Sequence, residues 1–221
     1  MSCEDKISAL HDDLLLKILS QVPTKDAVTT MILSKRWGLV WTMVPKLEYK
    51  DTWKEGDKSI WRLLEKSLQL HKAPVLEILN IQVECQFCDD ADVGKSLVLD
   101  SPGLRRLTLI DPHGDLDSIQ NMPHLDWAYV LHFVPNPKDK KFLRSFSSVK
   151  VLRLSLRNVE CCSTIKFSRL IKVTLHLYCF DDFMCSLEPL LLFLHNSPIL
   201  KVLEINYVSN FLHLPQNKIQ F

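Results

Sequence analysis

An apolar pattern of fixed spacing recurs through the last two thirds of the chain. Each copy holds an apolar residue, two residues of any type, a second apolar residue, one residue and a third apolar residue. Alternation at the last two positions is typical of a strand that buries one face. The copies are Leu76, Leu79, Ile81; Leu104, Leu107, Leu109; Val149, Leu152, Leu154; Leu170, Val173, Leu175; Leu200, Leu203, Ile205; and, more weakly, Leu125, Ala128, Val130.

The spacing of these copies predicts stacked repeats. Copies begin at positions 76, 104, 125, 149, 170 and 200, close to the period of about 20–29 residues of leucine-rich repeats. A single repeat cannot bury its inward leucines, so stacking must lay strand beside strand around one continuous core. The Asn or Cys expected three residues after each copy is absent from all six. Three copies have one a residue later, as Cys85, Asn158 and Cys179, so the repeats are degenerate. The alternative is a generic α/β domain whose strands look alike.

The N-terminal segment predicts short helices with more apolar surface than they can bury. Apolar residues at i, i+1, i+4, i+5 and i+8 share one face of a helix, and this spacing begins at Leu14. Asp12 is placed to cap the first helix, while Pro23 ends it and Thr24 caps the next. Ser34 is placed to cap a third helix that carries tryptophans on one side. Surplus apolar surface is typical of a partner-binding site.

Residues 5–45 also carry a dense series of motifs: Ile-Ser-x-Leu, Asp-x-Leu-Leu, Ile-Leu-Ser, Pro-Thr-Lys-x-Ala-Val, Leu-Ser-Lys-Arg-Trp and a final Trp. This series resembles the F-box of the large plant F-box/leucine-rich-repeat family. The family usually has Leu-Pro where this chain has Leu10-His11. The resemblance implies an F-box that docks on a Skp-type adaptor, and through it on a cullin, with repeats that hold a target protein. The C-terminal FBD domain common in this family is expected to be missing.

The resemblance assigns adaptor contact to a set of F-box positions. Trp37 is the expected anchor, because a desolvated aromatic side chain can contribute about 2 kcal/mol or more to binding. We therefore predict that Trp37→Ala abolishes adaptor capture while the repeats stay folded. Leu15 and Val28 are expected in the core of the F-box itself. The assigned positions are Leu10, His11 (in the place of the proline), Leu14, Ile18, Leu19, Pro23, Leu33, Ser34, Trp37 and Trp41.

Basic residues beside the strand leucines are candidates for target binding, although such residues more often only keep a surface soluble. In a solenoid the target surface is the strand face or the loops at one rim. Arg105 and Arg106 beside Arg153 are hypothesised to form a basic strip for an acidic degron or a phosphate group. The candidates are Arg105, Arg106, Arg153, Arg157 and Lys172.

Charge and composition argue against several other partners. The net charge is +1 and no basic stripe is interleaved with aromatic residues, so nucleic-acid binding is not expected. No apolar run has membrane-spanning length and no leader precedes the first helix, which favours the nucleus or the cytoplasm over a membrane. The seven cysteines, an odd number, are interpreted as reduced thiols.

No motif indicates catalysis, a metal or a cofactor. Residues 93–96 resemble the end of a phosphate-binding loop, but Asp89 stands where that loop needs glycine. Cys85 and Cys88 have zinc-ligand spacing, yet a structural zinc needs four ligands and no second spaced pair exists. The other close pair is Cys161-Cys162, which is adjacent in sequence.

The sequence thus predicts an α+β chain: a small three-helix F-box followed by an α/β leucine-rich-repeat solenoid with degenerate repeats. The resemblance implies the non-catalytic substrate-recognition subunit of an SCF-type E3 ubiquitin ligase. The alternative is an adaptor-binding interaction protein without ligase activity. The predicted regions are the F-box at 5–45, a connector and capping helix at 46–72, the repeats at 73–207 and a tail at 208–221.

Overall fold

The computed structural model describes residues 7, 9–51, 59–73, 76–83, 99–110, 119–120, 122–131, 140–156, 159–178, 187–208 and 217–220. The helices are α1 (Asp12–Leu19), α2 (Thr24–Thr29), α3 (Lys35–Val40), α4 (Ser59–Leu70), α5 (Lys140–Arg144) and α6 (Leu187–His195), with 3₁₀ turns at Thr30–Ile32, Trp41–Met43 and Val159–Cys162. The strands are β1 (Lys46–Asp51), β2 (Ile78–Val83), β3 (Leu99–Asp100), β4 (Arg106–Ile110), β5 (Ile119–Gln120), β6 (Trp127–Leu131), β7 (Val151–Leu156), β8 (Lys172–Tyr178), β9 (Val202–Val208) and β10 (Asn217–Gln220).

The N-terminal helices begin close to where the sequence places their caps. The Ser34 hydroxyl accepts the N–H of Trp37 at 3.4 Å, which confirms the predicted cap of α3. The predicted caps of the other two helices are each one residue late. His11 caps α1 through Nδ1, which accepts the N–H of Asp13 at 3.5 Å, and Pro23 precedes α2. The core of this bundle consists of Leu15, Leu19, Ala27, Trp37, Val40, Trp41 and Val44.

Eight of the strands described form one sheet, in the order β1-β2-β4-β6-β7-β8-β9-β10, and β3 pairs with β5 in a second sheet. Every pairing is parallel except that of β10 with β9. The middle apolar positions of the repeat lie in register across the sheet, as Leu79, Leu107, Ala128, Leu152, Val173 and Leu203. All of these side chains are buried. The predicted strands and their inward face are therefore confirmed.

Paired backbone hydrogen bonds hold the strand entrances in line. The carbonyl of Arg105 accepts both the N–H of Asp126 at 2.9 Å and the N–H of Trp127 at 3.1 Å. The same double acceptance recurs at the carbonyls of Pro45, Glu77, Asp126, Lys150 and Ile171. One carbonyl per repeat thus satisfies two donors of the next repeat, which fixes the register of the parallel strands.

The predicted connector at 46–58 begins with a strand instead. In β1, Leu47 and Tyr49 are buried in the sheet core between the charged residues that point outward. The hydroxyl of Thr24 in α2 accepts the N–H of Glu48 at 2.7 Å, which ties the F-box bundle to this strand. The predicted helix after the connector is confirmed as α4, and Leu64 of α4 is buried in the same core. Among the helices described, none combines the length and apolarity that a bilayer crossing requires.

Candidate functional site

Helix α1 exposes apolar side chains on one face and buries others on the next. Leu14 and Ile18 lie one turn apart and are each 46% exposed. Leu15 and Leu19, one position further along, are buried in the bundle. Residues four apart share a helix face, so the exposed pair forms an apolar ridge that the bundle itself does not cover.

Two further parts of the bundle expose apolar side chains. The 3₁₀ turn after α2 leaves Ile32 88% exposed and the following Leu33 62% exposed. Leu39 on α3 is 62% exposed, and Met43, four residues later, is also exposed. We define the apolar F-box surface as Leu14, Ile18, Met31, Ile32, Leu33, Leu39 and Met43.

A guanidinium joins the starts of α1 and α3. Arg36 Nε donates to Asp12 Oδ1 at 2.8 Å, and its Nη2 lies 2.6 Å from the same oxygen. Arg36 Nη2 also donates to the carbonyl of Leu10. These bonds fix the segment that leads into α1 against the helix that follows Leu33. The start of α1 is therefore held against the start of α3.

The structure separates the predicted adaptor-contact residues into surface and core. Exposed are His11, Leu14, Ile18, Pro23, Leu33 and Ser34, and Leu10 is half-buried. Leu19, Trp37 and Trp41 are buried in the bundle core, and their contact with an adaptor stays a prediction. Trp37 is only 4% exposed, so its ring offers a partner almost no area.

Sequence reasoning missed Met31, Ile32, Leu39 and Met43 as surface residues. The helical spacing places Met31 and Ile32 on the same face as buried Ala27. In the structure α2 ends at Thr29, where the hydroxyls of Thr29 and Thr30 donate to the carbonyls of Asp26 and Ala27 at 2.7 and 2.6 Å. The tighter 3₁₀ turn that follows rotates the next side chains away from the core.

The outward face of the sheet carries an aromatic pair beside an arginine. Trp127 and Tyr129 on β6 meet edge to face, with ring centroids 5.8 Å apart. Arg153, opposite Tyr129 on β7, places its guanidinium carbon 4.6 Å from the Tyr129 centroid. Strand β6 separates Arg106 on β4 from Arg153 on β7, so these rings lie between the two arginines. The basic strip of Arg105, Arg106 and Arg153 stays a prediction.

The other predicted target-binding residues differ in their contacts. Lys172 donates to Glu204 Oε1 at 3.0 Å across the β8–β9 pair. Arg105 lies 3.8 Å from Asp126 at the strand entrances. Arg157 lies outside the described residues, as do Cys85, Cys88 and the loop at 93–96. Within the described part of the chain, no group of His, Cys, Asp or Glu side chains is arranged to hold a metal ion.

Several cationic side chains lie close to the carboxylate of Asp126, the residue just before β6. Lys150 donates to its carboxylate at 2.8 Å, and Arg169 lies 3.4 Å away. The hydrogen bond from Lys150 lowers the pKa of Asp126 below its ordinary value of 3.8, helped by the charges of Arg169 and Arg105. Asp126 thus lies close to three cationic side chains at one rim of the sheet.

We predict that Asp126 contributes stability that acid removes. Its pKa is lower in the folded chain, so the contribution is present above pH 3.8 and is lost as the pH falls through the folded value. Asp126→Asn should lower the free energy of unfolding at pH 7 by less than about 1 kcal/mol, because the group is partly solvated. Urea unfolding at pH 7 and pH 3 measures this, with Asp26→Asn as the exposed control. A pH-independent difference would contradict it.

The N-terminal helical bundle is similar in sequence to a known domain. The family model described as the F-box domain matches residues 7–49. The chain is 55% identical over 98 residues to a putative FBD-associated F-box protein of Arabidopsis thaliana, which covers 43% of the chain and 22% of the relative. It is 60% identical over 84 residues to a putative F-box/FBD/LRR-repeat protein of the same plant, covering 38% and 22%.

A second putative F-box/FBD/LRR-repeat protein of Arabidopsis thaliana is 54% identical over 92 residues, which is 42% of the chain and 19% of that relative. The matches thus span about a fifth of the length of these curated relatives. No solved structure matches the chain. Residues 7–49 are therefore an F-box domain, and the N-terminal part of the chain is related to the plant F-box/FBD/LRR-repeat proteins.

Proposed function

We propose that this chain is the non-catalytic substrate-recognition subunit of an SCF-type E3 ubiquitin ligase. Its F-box binds a Skp-type adaptor that joins it to a cullin, and its parallel strands are the leucine-rich-repeat solenoid that holds a target protein. The protein acts by raising the effective concentration of the target beside the conjugating enzyme. It acts in the nucleus or the cytoplasm. The observation that supports this proposal best is the apolar F-box surface.

The apolar F-box surface has the character of a docking site. The F-box is a small module, and it leaves Leu14, Ile32, Leu33 and Leu39 largely open to water. Burying such area against a partner is favourable by about 25 cal/mol per Å². The neighbouring tryptophans are enclosed, so their role is to hold the helices that present this surface. Buried tryptophans that support an exposed apolar surface are consistent with a rigid module that binds without rearranging.

His11 is compatible with adaptor binding despite replacing the proline of the family. Its φ is −65° and its ψ is 149°, and a proline ring imposes a φ of about −65°. The backbone therefore enters α1 along the path that proline would enforce. The imidazole is exposed and its Nδ1 caps the helix, so the substitution changes the chemistry of the contact and leaves its geometry.

We predict that Leu33→Asp weakens adaptor capture at least about tenfold while the chain stays folded, since a buried apolar anchor contributes more than 1 kcal/mol to an interface. The matched control is Leu191→Asp. Leu191 lies on α6 and is 63% exposed, against 62% for Leu33. Capture is measured by surface plasmon resonance on a purified Skp-type adaptor, and folding by thermal unfolding.

The whole chain should then be recovered from plant extract and its partners identified by mass spectrometry. Adaptor and cullin on the unmodified chain and on Leu191→Asp, but not on Leu33→Asp, support the ligase-receptor function. Adaptor without cullin favours the alternative, an adaptor-binding protein without ligase activity. Equal recovery by all three chains would show that the apolar F-box surface is not the docking site.

A further inference from the structure

We infer that the outward face of the sheet binds an acidic segment of the target protein, with Arg153 as the residue that receives a carboxylate. The inference rests on the proposed function and names the chemistry of the target. The site is the platform of Trp127, Tyr129 and Arg153, which occupy neighbouring outward positions on β6 and β7. We call it the aromatic–arginine platform.

Arg153 is half-buried on the sheet face, beside the Tyr129 ring. The guanidinium carbon lies over the Tyr129 ring, 4.6 Å from its centroid. The N–H donors of a guanidinium lie in its plane and form a fork that matches a carboxylate. The cation–π contact with Tyr129 therefore restrains the position of the guanidinium.

The platform lacks a negative charge of its own. Arg153 Nε is shielded from water and has no hydrogen-bond acceptor among the residues that the structure describes. The neighbour of Arg153 on β8 is Thr174, whose hydroxyl donates to Glu204 Oε2 at 2.9 Å. Glu204 also accepts from Lys172. A partly desolvated cation without a counter-charge is unfavourable, so a carboxylate from outside the chain would relieve it.

The charges around the platform also favour an acidic partner. At the outward positions described, the carboxylates are Glu48 and Glu204. Glu48 lies 2.6 Å from Lys46 and 2.9 Å from Lys50, and Glu204 is paired with Lys172. Both carboxylates are therefore already paired with cations. Arg106, exposed on β4 in register with Trp127, makes no ion pair within the described part of the chain. The uncompensated charge of this face is therefore positive.

The aromatic rings of the platform indicate which kind of residue should stand beside the acidic residue of the bound segment. Trp127 and Tyr129 are half-buried and present apolar area beside the cation. Aromatic residues and arginine are the commonest hot-spot residues of protein interfaces. We therefore expect an aspartate or glutamate next to an apolar side chain in the bound segment. One guanidinium suits a singly charged carboxylate, whereas phosphorylated motifs are usually bound by clusters of arginines.

The test is a selection from a random dodecapeptide display library on the immobilised full chain, with adaptor capture measured separately. Selected peptides should be enriched in Asp and Glu. The tightest binder is then measured by fluorescence anisotropy, as selected and with each acid replaced by its amide. On the unmodified chain, the amide peptide should bind about tenfold more weakly, as expected for loss of a charge-assisted hydrogen bond. On Arg153→Gln, both peptides should bind alike.

Arg144→Gln is the matched control. Arg144 is exposed at the end of α5, whose Phe142 and Leu143 pack into the core on the inward side of the sheet. This variant should keep the tenfold preference for the acidic peptide. Arg153→Lys, which retains the charge without the planar fork, should show an intermediate preference. Thermal unfolding of each variant establishes that the sheet is intact.

The outcomes separate this inference from the proposed function. No acidic enrichment, or the same amide penalty on the unmodified chain and on Arg153→Gln, overturns the role of Arg153. A selection that yields no binding peptide also overturns it. In each of these cases a chain that still captures adaptor leaves the proposed F-box function standing. A chain that binds acidic peptides through Arg153 but does not capture adaptor would refute the proposed function and keep the platform.

Discussion

Replacing Trp37 with alanine is expected to destabilise the F-box. Adaptor capture is expected to be lost because the F-box unfolds, and not because Trp37 itself contacts the adaptor. The Trp37 side chain is 4% exposed and packs in a core with Leu15 and Trp41. Removing a buried tryptophan side chain typically costs about 3–5 kcal/mol. That is a large part of the total stability of a small domain. The measurement is urea unfolding of the full chain beside adaptor capture over a range of temperatures.

Gly38→Ala is the control on the same helix. A Cβ placed on Gly38 meets nothing within 4 Å, and alanine is favoured over glycine in a helix interior by about 0.5–1 kcal/mol. This variant should therefore unfold at higher urea concentration. If Trp37→Ala keeps the unfolding midpoint of the unmodified chain and still fails to bind adaptor, Trp37 is a contact residue.

The F-box shows what helical spacing can and cannot predict. Spacing indicated that Leu14, Leu15, Ile18 and Leu19 share an apolar side of α1, and the structure confirms it. Which part of that side faces the bundle depends on the angle at which α3 crosses α1, and tertiary contacts set that angle. The sequence likewise could not decide whether Trp37 is a core residue or an anchor, since a tryptophan serves both roles.

The sheet was more predictable because its repeats reinforce one another. Six copies of one spacing specify the same face, and parallel stacking then aligns Leu107 with Leu152 through Ala128. The exception is β1, where Leu47 and Tyr49 alternate with charged residues and resemble a polar connector. A strand at the end of the sheet has only one neighbouring strand, so charged outward side chains cost it little. Arg153 was predicted as a target-binding candidate, but the rings beside it were missed, because Tyr129 and Arg153 come from different repeats and meet only when the strands pair.

Leu154→Ala is expected to lower the free energy of unfolding by about 2–5 kcal/mol, the usual cost of emptying a buried leucine site. Leu154 is 1% exposed on β7 and lies in register between Val130 of β6 and Leu175 of β8. The cavity would open onto both neighbouring strands. Flanking repeats cannot close it without breaking the paired backbone bonds at their entrances.

Val151→Ala on the same strand is the matched control for Leu154→Ala. Val151 is half-buried on the outward face, so its truncation should cost no more than about 1 kcal/mol, the range of strand propensities. Urea unfolding followed by circular dichroism gives both values. Equal losses would mean that β7 does not distinguish its two faces, which contradicts the in-register ladder. A larger loss at Leu154 shows that the inward leucines hold the sheet, and that the outward positions remain free to vary with the target.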